Sequence, residues 1–348
     1  MIRRRGKPAP PPPPLPTLPF EVVVRILKYL FQSDQGATGK LLSLNSGVQR
    51  ALFPVVYARV ELHTSTALAR FAELVRERPE AARAVRSLWI GPSHARSDLL
   101  SILSAPLPGD SAYLESLREE VYTHTRFVLR ACRRLKDVAL SGSLVSAAVV
   151  HSYGTACQPV RVTSINPHSF VSGFDAPIFR KVQDLTVCDI NLSFSEADAI
   201  RRLPALKCFE YTSPKDYGDV LRDITVLRKL LALDDASLED SLARLLLDAP
   251  SSWLQRLHFR AVPQRAKKVV AALQEALENA PRGVDIAQAE LAPEFVNEWD
   301  ALRDLVFNAQ GDYSRQALDD DVGSWVDPSH ALEQLRAEWR QRSVEVLA

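Results

Sequence analysis

The sequence predicts a mixed α+β / α/β chain. It reads as a small helical module, then a ragged solenoid of short strand–helix units, then a helical C-terminal segment. Three observations predict this. A short N-terminal helix carries more apolar surface than its own module can bury. Strand-like segments then recur at near-constant spacing with a shared apolar register. From residue 291 the pattern is helical again. With 348 residues, 46% of them hydrophobic and 24% charged, the chain can build one elongated domain or two to three compact ones.

Residues 1–16 read MIRRRGKPAPPPPPLP, and the run Pro10 to Pro14 excludes a helix or a central strand. A disordered or polyproline II tail is expected. The basic start is followed by prolines rather than an apolar stretch, so no secretory signal is expected.

Residues 17–62 read as helical. Thr17 suits a cap, Pro19 the first turn, and Glu21 the positive helix N-terminus. At 100° per residue, Phe20, Val22, Val23, Val24, Ile26, Leu27, Leu30 and Phe31 sweep an arc of about 200°, where one core asks for little more than about 100°. The surplus asks for a partner, either elsewhere in the chain or in another protein. A polar loop, SDQGATGK, follows at 33–40. Gly47 and Pro54 are expected to break the next stretch into short helical pieces, with 57–62 turning extended.

A helix is expected from Thr66 to Arg78, ending at Pro79. Six short strands follow, at 84–91, 135–142, 159–166, 182–189, 206–213 and 254–261. Several share the register apolar-x-x-apolar-x-apolar, as in Leu135/Val138/Leu140 and Leu206/Phe209/Tyr211. The middle apolar residues Val138, Val162, Leu185 and Phe209 are 24, 23 and 24 residues apart. Phe209 to Leu257 spans 48 residues, two such units, so a further strand is expected near Leu230 to Leu233. Helices are expected at Ser195–Leu203, capped by Ser195, and at Tyr217–Leu227, Leu238–Leu247 and Gln264–Asn279. A strand and a helix in every unit of this length predict a degenerate leucine-rich-repeat-like solenoid over 63–290. An ordinary α/β domain with parallel strands is the alternative. Residues 291–348 supply a helical C-terminal cap, through Pro293–Phe307 and Pro328–Val344, with Trp299 and Trp339 as packing anchors.

Several chemistries find no support. Net charge is +1 from 43 basic and 42 acidic residues, which argues against bulk nucleic-acid binding. No long uncharged apolar stretch suggests a membrane span. Cys132, Cys157, Cys188 and Cys208 form no C-x-x-C pair and read as buried reduced thiols of an intracellular protein, cytoplasmic or nuclear. GATGK at 36–40 is not a phosphate-binding loop, because the first glycine of that motif falls on Asp34 and the hydroxyl position on Leu41. No two histidines stand at i, i+4, and no G-x-S-x-G occurs. The aspartates at 234–235 and 319–321 read as solvated charge, and Trp89 and Trp253 as packing residues. No catalytic residue, cofactor or metal site is expected.

Two segments carry a family resemblance. Leu18-Pro19-x-Glu21, then Val23, Ile26, Leu27 and Leu30, and later FPVVYARVEL at 53–62, resemble an F-box of the divergent fungal type. FAELVRERPEAARAVRSLWIG at 71–91 is similar to the first helix and strand after the F-box in such proteins. The stretch LNSGVQRALF lacks the usual cysteine and tryptophan. The resemblance implies a non-enzymatic substrate-recognition adaptor of a Skp–cullin–F-box ubiquitin ligase. Its F-box would bind a Skp-type adaptor of the cullin–RING ligase, and its second domain a protein substrate. Carried over residue by residue, the partner-binding positions are Leu18, Pro19, Glu21, Ile26, Leu27 and Leu30. The alternative is an interaction scaffold whose F-box no longer binds the adaptor.

Overall fold

The computed structural model describes residues 19, 22–23, 25–27, 46–104, 111–167, 171–231, 233, 254–278, 283–308 and 329–347. The chain forms two compact units, residues 1–56 and 57–348.

In the first unit the backbone is helical at 22–23 and 25–27, and again in α1, Ser46–Val56. Pro19 stands just before the first of these. Its carbonyl accepts from the amides of Val22 at 3.0 Å and Val23 at 3.1 Å, the role of a residue that opens a helix. Neither Gly47 nor Pro54 breaks α1, which runs through both. Leu27 and Leu52 form a small core with Val23 and Val56.

The second unit is built on one sheet of eight parallel strands, paired in chain order. They are β1 Arg59–Leu62, β2 Ser87–Ile90, β3 Asp137–Ser141, β4 Arg161–Asn166, β5 Asp184–Asp189, β6 Cys208–Thr212, β7 Arg256–Ala261 and β8 Asp285–Glu290. Parallel strands cannot be joined by tight hairpins, so helical crossovers connect them. These include α2 Ser65–Glu77, α3 Pro79–Ala84, α4 Asp98–Ile102, α5 Ala112–Ala131, α6 Ala147–Val150, α7 Phe194–Arg201, α8 Val220–Leu230 and α9 Pro263–Glu278.

The apolar register is the cause of the alignment. Val60, Leu88, Val138, Val162, Leu185, Phe209, Leu257 and Ile286 pair side by side in one row. Two residues on, Leu62, Ile90, Leu140, Ser164, Val187, Tyr211 and Phe259 form the next. A strand slipped by one residue would turn its whole apolar set to the opposite face. This face packs against α2, α5, α7, α8 and α9 in the main core, and each fully buried large side chain there contributes about 1.5–3 kcal/mol.

The opposite face is also covered. Trp89, Ala139, Ile165 and Cys188 look out from it. They pack with Phe295 and Trp299 of α10, Pro293–Asn308, and with Leu335 and Trp339 of α11, Ser329–Leu347. Trp89 and Trp339 lie with ring centroids 5.6 Å apart.

These findings correct the expected fold class. The chain is not a helical F-box module followed by a degenerate leucine-rich-repeat-like solenoid with a helical C-terminal cap. It carries a single eight-stranded parallel sheet with interleaved helices, an α/β fold with both faces covered. The sheet begins inside the span read as helical, at β1. The C-terminal helices lie over a face because Trp89, Ala139, Ile165 and Cys188 need an apolar cover.

Smaller corrections follow. No strand forms near Leu230 to Leu233 among the described residues: Leu230 ends α8, and β6 pairs directly with β7. The α7 cap is Ser193 rather than Ser195. The Ser193 side chain accepts from the Glu196 amide at 3.2 Å, and Glu196 accepts from the Ser193 amide at 2.8 Å. The proline tail, the 33–40 loop, Leu238–Leu247, Trp253 and both aspartate clusters lie outside the described residues.

Candidate functional site

Two places in the molecule are candidates. The first is the helix of the N-terminal unit. Ile26 is 45% exposed and Val22 41%, while Leu27 is 8% exposed and turned into the small core with Leu52. Pro19 is exposed. Of the six positions carried over from the resemblance, then, Pro19 and Ile26 are presented outward and Leu27 inward. Leu18, Glu21 and Leu30 lie outside the described residues. The i, i+4 pair of Val22 and Ile26 shares one side of the helix.

The second is a cavity of about 230 Å³ on the sheet face that carries α10 and α11. Its lining comes from the starts of β3 to β7, together with Arg342 of α11. One register row supplies Asp137, Arg161, Asp184, Cys208 and Arg256, each immediately before the apolar residue that faces the main core. The next outward row supplies Thr163, Thr186, Glu210 and His258. Sequence reasoning missed every one of these positions. The signal was present in the residue preceding each apolar marker, where acids and arginines alternate along β3, β4 and β5.

Most of these charges are already paired. Arg161 Nε donates to Asp184 Oδ2 at 3.1 Å, and its Nη1 to the carbonyl of Arg342 at 2.8 Å. Glu210 accepts from Arg342 at 2.9 Å on one oxygen and from Arg260 at 3.3 Å on the other. Arg260 in turn grips Glu338 of α11 through two bonds, at 2.6 and 2.9 Å. Such bidentate pairs fix orientation as well as energy.

Asp137 is the exception. Its Oδ1 accepts from the indole N–H of Trp339 at 3.1 Å, while its buried Oδ2 has no hydrogen-bond partner among the described residues. Burial pushes its carboxyl up to about 6, and the Trp339 bond only partly offsets this. Cys208 is half-buried, unlike the other three cysteines. Burial and the neighbouring Asp184 raise its thiol, which disfavours the thiolate a nucleophile needs.

Among the described residues, no group of three or more histidine, cysteine, aspartate or glutamate side chains could hold a metal ion. No helix among them is long and apolar enough to cross a membrane. The cavity is a site of mixed charge, with Asp137, Asp184 and Glu210 beside Arg161, Arg256 and Arg342. No protein-family model matches the chain, and none of the curated proteins matches it.

Proposed function

We propose that this protein is a non-catalytic substrate-recognition subunit of a Skp–cullin–F-box type ubiquitin ligase. Its N-terminal helical unit docks on the Skp-type adaptor, and its α/β unit holds a protein substrate. It accelerates modification by proximity, raising the effective concentration of the target near the ubiquitin-loaded enzyme. The observation that carries this reading is the exposure of Ile26 and Val22 on a helix whose Leu27 already supplies its own core. Two large apolar side chains kept in water beside a satisfied core leave a surface for a partner helix to cover.

The test is a pulldown of the full chain with a Skp-type adaptor, beside Ile26→Asp. Ile26 is the better probe than Leu27, because a carboxylate at Leu27 would enter the small core and unfold the unit. Retention by wild type and loss in Ile26→Asp, with an unchanged circular dichroism spectrum, is the expected result. Failure of the folded wild type to bind would overturn adaptor docking and leave an interaction scaffold.

A further inference from the structure

The whole chain is nearly neutral, at +1, but its charge is not evenly spread. The segments that lead into β3, β5 and β6, at 130–136, 180–183 and 202–207, hold eight basic residues and no acid. The segment that leads into β4, CQPV at 157–160, is uncharged. Four consecutive strand entries therefore carry no negative charge of their own.

The sheet brings these entries together. The Lys136 amide donates to the carbonyl of Arg86 at 2.8 Å, Val160 to Lys136 at 2.8 Å, Gln183 to Val160 at 2.7 Å and Lys207 to Gln183 at 2.8 Å. Parallel pairing thus sets them side by side along the edge where the strands begin. Arg133, Arg134, Lys136, Arg180, Lys181 and Lys207 are all exposed there. The acids nearest in sequence are already engaged. Asp184 pairs with Arg161 at 3.1 Å, Asp198 with Arg201 at 3.1 Å, and Asp137 is buried against Trp339. Like charges stand close instead: burial first, and then the charge of Arg134, lower the Arg86 guanidinium from its usual value. The bonds of α11 to Glu61, Asp137, Thr186 and Glu210 are made inside the strands and leave the six side chains in solvent.

An edge of this composition attracts an anion, and its other side chains select the class. The four segments hold no aromatic residue on which a base could stack, which speaks against single-stranded nucleic acid. No large apolar side chain stands exposed in them, since Leu135, Val182 and Leu206 are buried, so nothing is presented for insertion into a lipid surface. Carboxylates along an extended chain suit the edge better. From Lys136 to Lys207 there are three steps between neighbouring strands, or ~14 Å at ~4.8 Å each, which about five or six residues of extended chain at ~3.3 Å per residue cover.

We propose that this basic edge docks the substrate, and that the segment it takes is an acidic stretch of polypeptide, about five or six residues long and rich in aspartate or glutamate. The proposal rests on the preceding reading only in taking the partner to be a protein substrate. Contacts between exposed charges give fast association and selection by charge more than tight binding.

Fluorescence anisotropy of a fluorescein-labelled hexaglutamate peptide, titrated with the full chain, tests it. The expected result is saturable binding that weakens as salt rises. A triple variant, Arg133→Glu with Arg134→Glu and Lys136→Glu, should bind at least about tenfold more weakly, since each exposed pair is reversed as well as lost. Arg180→Glu with Lys181→Glu should weaken binding too, and carries the test if the triple variant fails to fold. Lys267→Glu with Lys268→Glu, exposed on α9, makes the same change of charge as that pair and should bind as wild type does. No binding of hexaglutamate or an equal loss in the α9 variant would overturn the proposal. So would tighter binding of an oligothymidylate of equal charge, or of phosphatidylserine vesicles, than of the peptide. No Skp-type adaptor is present in this assay. A failure here leaves the pulldown untouched, and a failed pulldown leaves peptide binding untouched.

Discussion

The indole N–H of Trp339 donates to Asp137 Oδ1 at 3.1 Å, joining two residues 202 positions apart. This bond ties the last described helix to the third strand of the sheet. Around it, Arg340 grips Glu61 through two bonds of 2.6 Å, and Arg342 reaches Glu210 and Thr186. Residues 339, 340 and 342 of α11 thus reach β1, β3, β5 and β6, and Arg342 of this helix lines the cavity.

Asp137 sets a pH dependence of unusual sign. Its carboxyl sits at about 6 when folded, against an ordinary 3.8, so the folded state binds the proton more tightly. Below about pH 4 the group is protonated in both states and has no effect. As pH rises from about 4 through 6, stability falls, by roughly 3 kcal/mol in all for a shift of this size. Asp137→Asn should therefore be more stable than wild type at pH 7.5, with the difference vanishing near pH 4. Urea unfolding at the two pH values measures it, and a variant less stable than wild type at pH 7.5 would refute the account.

Glu61 should act in the opposite sense and in a more acidic window. Burial alone would raise its carboxyl, but hydrogen bonds from His63 and Arg340 outweigh this and bring it down to about 2 from 4.5. Its contribution is complete above about pH 4.5 and is lost as pH falls toward 2. Glu61→Gln is expected to cost about 2–3 kcal/mol at pH 7 and almost nothing near pH 2. Denaturant midpoints for both proteins at each pH provide the check. An equal gap at both pH values would assign the cost to packing instead.

A buried charge cluster beyond the strand ends should be sensitive to the loss of Asp223. Asp223 receives Lys215 Nζ at 3.1 Å and Arg265 Nε at 2.7 Å, and all three side chains are nearly inaccessible. Lys215 is also held by Asn191 at 2.9 Å, and Arg265 by the carbonyl of Tyr217 at 3.0 Å. Asp223→Ala leaves two buried cations without their counter-charge and should cost about 3–5 kcal/mol in guanidinium unfolding. A loss under about 1 kcal/mol would mean that the carbonyl and amide contacts suffice.

The strands were legible because each carries its own apolar period. All six expected strands lie in the sheet, and their marker residues share one row. β8 was not legible: Asp285-Ile286-Ala287-Gln288-Ala289-Glu290 alternates only weakly, and pairing with β7 decides it. β1 was read as an extended end of a helical module, because four residues cannot announce that they open a sheet. The spacing argument overreached where it filled the gap from Phe209 to Leu257 with two whole units, since the chain carries α8 up to Leu230 and β6 pairs directly with β7. From β2 to β3 the chain carries the 20-residue helix α5, and β2 pairs directly with β3.

By itself the sequence determined six of the eight strands, which of their faces would turn inward, and that the N-terminal helix had apolar surface to spare. Those properties are local, set by the periods of 2 and 3.6 residues along the chain. Only the tertiary structure decided that one sheet spans β1 to β8, that α10 and α11 cover its second face, and that Leu27 turns inward while Ile26 stays in water. It alone placed Asp137, Arg161, Glu210, Arg256 and Arg342 around one cavity. Residues that far apart in the chain meet because lateral strand pairing lines up their register positions, and no window of sequence contains that pairing.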